Sequence, residues 1–221
     1  PRASDRRQLI HHVVCNNQAT LAYLASQAVI TLHGWLARDN NIKQPDRLIF
    51  DLDPPQGNFA PVKQAARRIK ELMEELGMTP YVMTTGSRGL HVATPIKASR
   101  EFDDIREYAR AMAQHLATCY PEQLTVEQRK DRRKGRLYLD VMRNSYAQTT
   151  VLPYTVRARP TAPVATPISW EELDNSELHS QTYTIRNIFR RLGQRNDPWQ
   201  RMDRHAVDVT HLSDPESAET C

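Results

Sequence analysis

The chain has 221 residues, 39% hydrophobic and 25% charged, with a formal net charge of +4. That length supports one large domain or two small ones with a sizeable core. No apolar run approaches the ~18 residues of a membrane-spanning helix and no signal peptide is visible, which argues against a helical membrane protein.

The net charge is modest, but the arginines are clustered, which suggests anionic partners. Three cysteines (Cys15, Cys119, Cys221) have no metal-ligand spacing, and their odd number argues against a disulfide framework. The chain starts at Pro1, so it is expected to be a processed chain or an excised segment.

In chain order, Pro1 to Arg7 is a polar lead-in and Leu9 to Cys15 a short strand candidate. Asn16 or Asn17 can cap a helix through Ala19 to Gln27, with Leu21, Leu24 and Ala25 on one face. Ala28 to Leu32 is expected to be a strand ending at His33 and Gly34, and Trp35 to Asp46 a polar connection. Arg47 to Asp53 has the pattern of a buried strand stopped by Pro54-Pro55, since proline has no N–H for the ladder. Side chains alternate across a strand, so Asp51 and Asp53 share a face. Helical spacing from Phe59 to Leu76 predicts a helix that stops at Gly77. Thr79 to Thr84 and Leu90 to Pro95 flank the turn Thr85 to Gly89 as a hairpin.

A third helix opens at Ser99 or Asp103, with Phe102, Ile105, Tyr108, Ala109, Met112 and Leu116 on its apolar face. Arg129 to Arg136 is a basic loop. Leu137 to Met142 is a strand candidate carrying Asp140, and Val151 to Val156 another. Arg157 to Pro167 is proline-rich and irregular. Trp170 to Leu173 fits a helical turn, and Thr184 to Leu192 an amphipathic helix with a basic face. The tail from about residue 204 to 221 is expected to be weakly structured. No repeat or long linker divides the chain. One α/β (α+β) domain is therefore expected, with a mixed or antiparallel central sheet flanked by helices.

Four constellations could carry chemistry. Adjacent carboxylates at Asp51 and Asp53 repel each other and need a cation, for which Mg²⁺ or Mn²⁺ suits the oxygen donors. Alone, the pair could equally be two solvated acids. The turn Thr84-Thr85-Gly86-Ser87-Arg88-Gly89-Leu90-His91 can hold phosphate oxygens on backbone N–H groups, with Arg88 adding charge. It is not a Walker loop, because no Lys-Ser/Thr pair and no helix follow. Asp140 sits inside an apolar run, where a lone acid is costly unless paired. If its strand neighbours the central one, three acids could hold two metals. Its plainer reading is a buried pair with Arg143. Finally, Arg157 and Arg159 share a face if extended, and guanidinium forks suit phosphates.

Together these motifs, in this order and at this spacing, resemble the polymerase domain of bacterial ligase D, within the archaeo-eukaryotic primase superfamily. The resemblance runs from about Leu9 to the Trp199 region. It implies that Asp51, Asp53 and Asp140 are catalytic metal ligands for two Mn²⁺ (or Mg²⁺) ions with substrate. It also implies that His33, Thr85, Arg88, His91, Arg143 and Arg157 bind the incoming nucleotide. Arg88 stands where lysine is common, and Thr85 where serine is usual. The implied activity is template-dependent addition of (ribo)nucleotides to a primer 3′-hydroxyl, in gap filling during non-homologous end joining.

Implied partners are a DNA primer-template or gapped duplex, nucleoside triphosphates, a Ku-like end-binding protein and a ligase domain. The implied setting is cytoplasmic and nucleoid-associated. The family domain's N-terminal portion, which grips the DNA end, is expected to be missing before Pro1. DNA binding is then expected from the remaining arginines and lysines, with the loop residues Arg132, Arg133 and Lys134 as the first candidates. The alternatives are a non-catalytic nucleic-acid-binding module and a haloacid dehalogenase-type phosphohydrolase, whose motif also ends a strand in Asp-x-Asp.

Overall fold

The computed structural model describes residues 11–55 and 57–221. Its elements run α1 (Gln18–Ser26), β1 (His33–Trp35), β2 (Arg47–Leu52), α2 (Ala60–Glu75), β3 (Tyr81–Thr84), β4 (Leu90–Pro95), α3 (Phe102–Cys119), β5 (Leu124–Thr125), β6 (Leu137–Tyr138), β7 (Thr149–Val151), β8 (Thr166–Ile168) and α4 (Ile188–Gln194), with 3₁₀ turns between them. The central sheet has the order β2-β4-β3-β8 and every pairing is antiparallel. β1 and β7 form a small antiparallel ladder, and β5 and β6 a short parallel one. The α/β expectation with an antiparallel central sheet therefore holds. No helix among the described residues is long and apolar enough to cross a membrane.

Strand alternation divides the sheet into two faces. Leu48, Phe50 and Leu52 of β2, Val82 of β3 and Leu90 and Val92 of β4 point to one face. There they meet Val62, Ala66, Ile69 and Met73 of α2 and Ile105, Ala109, Met112 and Leu116 of α3 in one buried cluster. Burial of a side chain such as Phe50, fully removed from solvent, contributes on the order of 2–3 kcal/mol. Ile49, Tyr81, Met83 and Ala93 point to the other face, into two smaller clusters. Asp51 and His91 lie in the same alternation, so the helices secure one side of the sheet and leave the other for polar chemistry.

Several expected elements differ in extent. Within the described part of Leu9 to Cys15, residues 11–15 form no strand, and the rest lies outside the described residues. Ala28 to Leu32 is not a strand either. The ladder begins one residue later, at His33, where β1 finds β7. α1 has the expected cap, with the Asn17 side chain accepting from the Thr20 N–H, yet buries no residue. Leu137 to Met142 is strand only at Leu137–Tyr138 and then turns into a 3₁₀ segment at Met142–Asn144. α2 ends as expected, with Gly77 at φ +78°, a conformation that glycine adopts without a Cβ clash.

The tail over residues 204–221 is corrected from weakly structured to folded. It forms 3₁₀ turns at Val209–His211 and Pro215–Ser217 and lies along α3, where the Tyr108 hydroxyl donates to the Ser213 carbonyl. Cys119 and Cys221, 102 residues apart in sequence, are joined in a disulfide that ties the tail to the end of α3, and Cys15 is free and exposed. The odd cysteine count still allowed one pair, and sequence separation carries no information about distance in the fold.

The segment after β8 is anchored by one buried ion pair. Arg191 Nη2 lies 2.8 Å from Glu172 Oε2, with both side chains at most 10% exposed. Glu172 also accepts from the Tyr183 hydroxyl (2.6 Å) and the Ser169 N–H (2.8 Å). Burial pushes its carboxyl up, but these partners outweigh burial and hold it below its ordinary 4.5. Its stabilisation is therefore complete above that ordinary value and fades as pH falls through the lower folded one. Glu172→Ala is expected to cost about 3–5 kcal/mol near neutral pH, because it strands a buried guanidinium. In urea denaturation the gap to the wild type should narrow in acid below the ordinary carboxylate range. A gap independent of pH would refute the role of the carboxylate charge.

Candidate active site

The site forms where β2 ends. Leu52 pairs with Leu90 and Asp51 with His91, which places the Asp51 and His91 side chains side by side on the open face. Gly89 comes just before this pairing. A Cβ there would stand 1.7 Å from the Leu52 carbonyl oxygen, so only glycine lets the turn approach β2. Pro54-Pro55 then carries the chain out of the sheet.

Asp140 reaches the site by a backbone route. The Asp51 N–H donates to the Asp140 carbonyl at 2.9 Å, an isolated antiparallel bridge beyond the edge of the central sheet. Asn144 secures this bridge. Its Oδ1 accepts from the Ile49 N–H at 2.9 Å, and its Nδ2 donates to the carbonyls of Ile49 and Val141, each at 2.8 Å. Asn144 is fully buried, so these bonds are the ones its side chain needs. Asn144 belongs to none of the sequence motifs. Its signal would have been a polar residue four positions after a buried acid, in a segment too short to continue as a strand.

The three aspartates have different partners. His91 Nε2 lies 3.3 Å from Asp51 Oδ1, and Arg143 Nε donates to Asp51 Oδ2 at 3.3 Å. Burial alone would raise the Asp51 carboxyl, yet His91 and Arg143 hold it down at about 2. The Asp140 carboxyl is raised by burial, with the Met142 N–H opposing and the charge of Asp51 adding to the rise. Asp53 lies beyond the strand and pairs with Arg88 Nη2 at 2.5 Å. The bridge brings Asp140 beside Asp51, and in place of the plainer reading, an Asp140–Arg143 pair, Arg143 contacts Asp51.

Oxygen donors of three carboxylates fit a hard divalent cation such as Mg²⁺ or Mn²⁺. Their ligand atoms are not gathered to within 4.8 Å of one another. Among the described residues only the trio His115, Cys119 and Cys221 is so gathered, and its two sulfurs are bonded to each other.

Arginines and histidines crowd the same face. Arg157 Nη1 donates to the Thr85 carbonyl at 3.1 Å, and a Cβ on Gly86 would stand 2.8 Å from its Cγ. His33, on β1, has its imidazole lowered by burial and then by the charges of Arg157, Arg143 and His91. The structure thus brings His33, His91, Arg143 and Arg157 together. Thr85 is buried and occupied within its own turn. Its hydroxyl donates to the Gly89 carbonyl and accepts from the N–H groups of Ser87 and Gly89. The basic loop is divided: Arg133 donates to the carbonyls of Glu127 and Gln128 and stacks on Tyr138, while Arg132 and Lys134 are exposed.

A family profile described as "LigD, primase-polymerase domain" matches residues 2–199. The chain is 34% identical over 173 residues to the multifunctional non-homologous end joining protein LigD of Pseudomonas aeruginosa, covering 77% of this chain and 20% of that protein. It is 30% identical over 209 residues to the LigD protein of Mycobacterium tuberculosis, covering 90% of this chain and 27% of that one. It therefore spans under a third of the length of these relatives. In structure it is similar to the polymerase domain of Mycobacterium tuberculosis ligase D in complex with DNA, with a TM-score of 0.80 and 28% identity, over 93% of this chain and 76% of that one.

Asn144→Ala should destabilise the protein by about 1–3 kcal/mol, since it leaves the Ile49 N–H and C=O buried without partners. It should also weaken Mn²⁺ binding on the order of 10–100-fold, as loss of an orienting partner does at metal sites. Chemical denaturation and Mn²⁺ titration by calorimetry check both. Unchanged Mn²⁺ affinity in a folded variant would show that the bridge does not position Asp140.

Proposed function

Because the chain belongs to the LigD primase-polymerase family, we propose that it is a nucleotidyltransferase that extends a primer 3′-hydroxyl from a nucleoside triphosphate. The observation that carries this is the bridge that joins Asp51 to Asp140, with Asp53 two residues on and a corner of two arginines, Arg143 and Arg157, and two histidines, His33 and His91, beside them. Acids beside cations on one open sheet face suit a reaction between a hydroxyl and a polyphosphate.

Asp51, Asp53 and Asp140 would hold two divalent cations, Mn²⁺ or Mg²⁺. When bound, these supply an acidified primer hydroxyl and charge stabilisation for the departing pyrophosphate. Arg157 and His33 bind the triphosphate, and Arg88 reaches it from the Thr85–Gly89 turn. His91 and Arg143 hold the Asp51 carboxylate ionised, and Thr150 Oγ1, 3.3 Å from His91 Nδ1, orients the imidazole. Arg132 and Lys134 supply exposed charge for a DNA backbone, in keeping with the DNA bound by the similar polymerase domain. The names of the relatives place them in non-homologous end joining; gap filling there, with a Ku-like protein and a ligase domain as partners, is our reading of this chain's role.

A non-catalytic DNA-binding module remains the second reading, because the arginine surface alone would serve it. The phosphohydrolase reading finds no support in the family match. Primer extension with Mn²⁺ on a gapped duplex separates the two surviving readings. Asp53→Asn should lower nucleotide addition by at least about 100-fold while chemical denaturation shows the fold unchanged, since an exposed acid with one partner is lost. DNA binding without extension in the wild type would leave the binding module. Full extension by Asp53→Asn would remove Asp53 from the metal ligands.

A further inference from the structure

Asp53 is held differently from the other two acids. Asp51 sits on a strand, between His91 and Arg143, and each of these has an anchor of its own in Thr150 or the Thr149 carbonyl. Asp140 takes the Met142 N–H at 2.8 Å. The Asp53 carboxylate instead folds onto the Thr85–Gly89 turn. Its Oδ2 pairs with Arg88, its one ion-pair partner among the described residues, and its Oδ1 lies 3.0 Å from where a Cβ on Gly89 would stand.

The turn under Arg88 is fixed and its side chain is not. Thr85 Oγ1 bonds within the turn, and the Ser87 carbonyl accepts from Ser180 Oγ and Gln181 Nε2. The Arg88 guanidinium has Asp53 as its only hydrogen-bond partner among the described residues, and the two side chains are 60% and 44% exposed. An ion pair this exposed is weak and exchanges readily. Asp53 and an incoming triphosphate would compete for this one guanidinium, because phosphate oxygens offer the fork that arginine prefers.

We propose that Arg88 is an exchangeable counter-ion. It covers Asp53 before a divalent cation arrives and transfers to the triphosphate when nucleotide binds, which couples the two binding events through one side chain. The inference rests on the metal and triphosphate reading given above. Its consequence is reciprocal, since a coupling free energy raises both affinities by one factor.

The test is Mn²⁺ titration followed by the spin resonance of free Mn²⁺, on wild type, Arg88→Met and Asp53→Asn, with and without a non-hydrolysable nucleoside triphosphate. Without nucleotide, Arg88→Met should bind Mn²⁺ about two- to five-fold more tightly than wild type. The enhancement of Mn²⁺ affinity by nucleotide should shrink by the same factor. An Arg88→Met variant whose Mn²⁺ affinity is unchanged or weaker overturns the proposal. If at the same time Asp53→Asn loses Mn²⁺, the metal reading survives without the exchange. If Asp53→Asn binds Mn²⁺ as wild type does, the metal reading itself fails.

Discussion

The meeting of Asp51 and Asp140 at the candidate site depends on the hydrogen bond from the Asp51 N–H to the Asp140 carbonyl. β2 is an edge strand of the central sheet, and an edge strand has unpaired N–H groups to satisfy. Here one of them is satisfied by the residue that brings the third acid. Asn144 closes the next position by bonding both backbone groups of Ile49. The sheet edge and the geometry of the candidate site are thus one solution: the groups that protect β2 also fix where Asp140 stands.

The second constraint is electrostatic. Three carboxylates and several arginines and histidines occupy one face of a sheet whose other face is packed against α2 and α3. In such a setting no charge is free of its neighbours. Asp51 keeps its charge despite burial because His91 and Arg143 outweigh the desolvation. Asp140 lacks an ion-pair partner of this kind among the described residues, and burial raises it. Asp53, further out in solvent, is neutralised by an exposed arginine. The acids therefore differ in rigidity and in ease of access, although they serve one proposed role.

Much of this was legible in the sequence where local rules act alone. The run Arg47 to Asp53 before two prolines, the helix stopped by Gly77 and the hairpin around Thr85 to Gly89 each follow from backbone chemistry within a few residues. The order of the motifs carried the resemblance to the family, and the family match agrees with that resemblance. The face that buries Leu48, Phe50 and Leu52 followed from alternation.

What only the tertiary structure decided involves contacts between distant segments. Leu137 to Met142 looks like a strand, but the backbone leaves strand geometry after Tyr138, because Val141 and Asp140 are needed by Asn144 and Asp51 instead of by a neighbouring ladder. Arg143 is three residues from Asp140 yet bonds Asp51, ninety-two positions away. Cys119 meets Cys221, and a tail with little periodicity folds along α3, since its partners lie on a helix a hundred residues earlier. Local sequence determined the buried strand before Pro54-Pro55, the long helices and the glycine-bearing turn, because those depend on backbone sterics and on short-range periodicity. Which carboxylate met which cation was settled by chain closure, because an ion pair depends on distance in space.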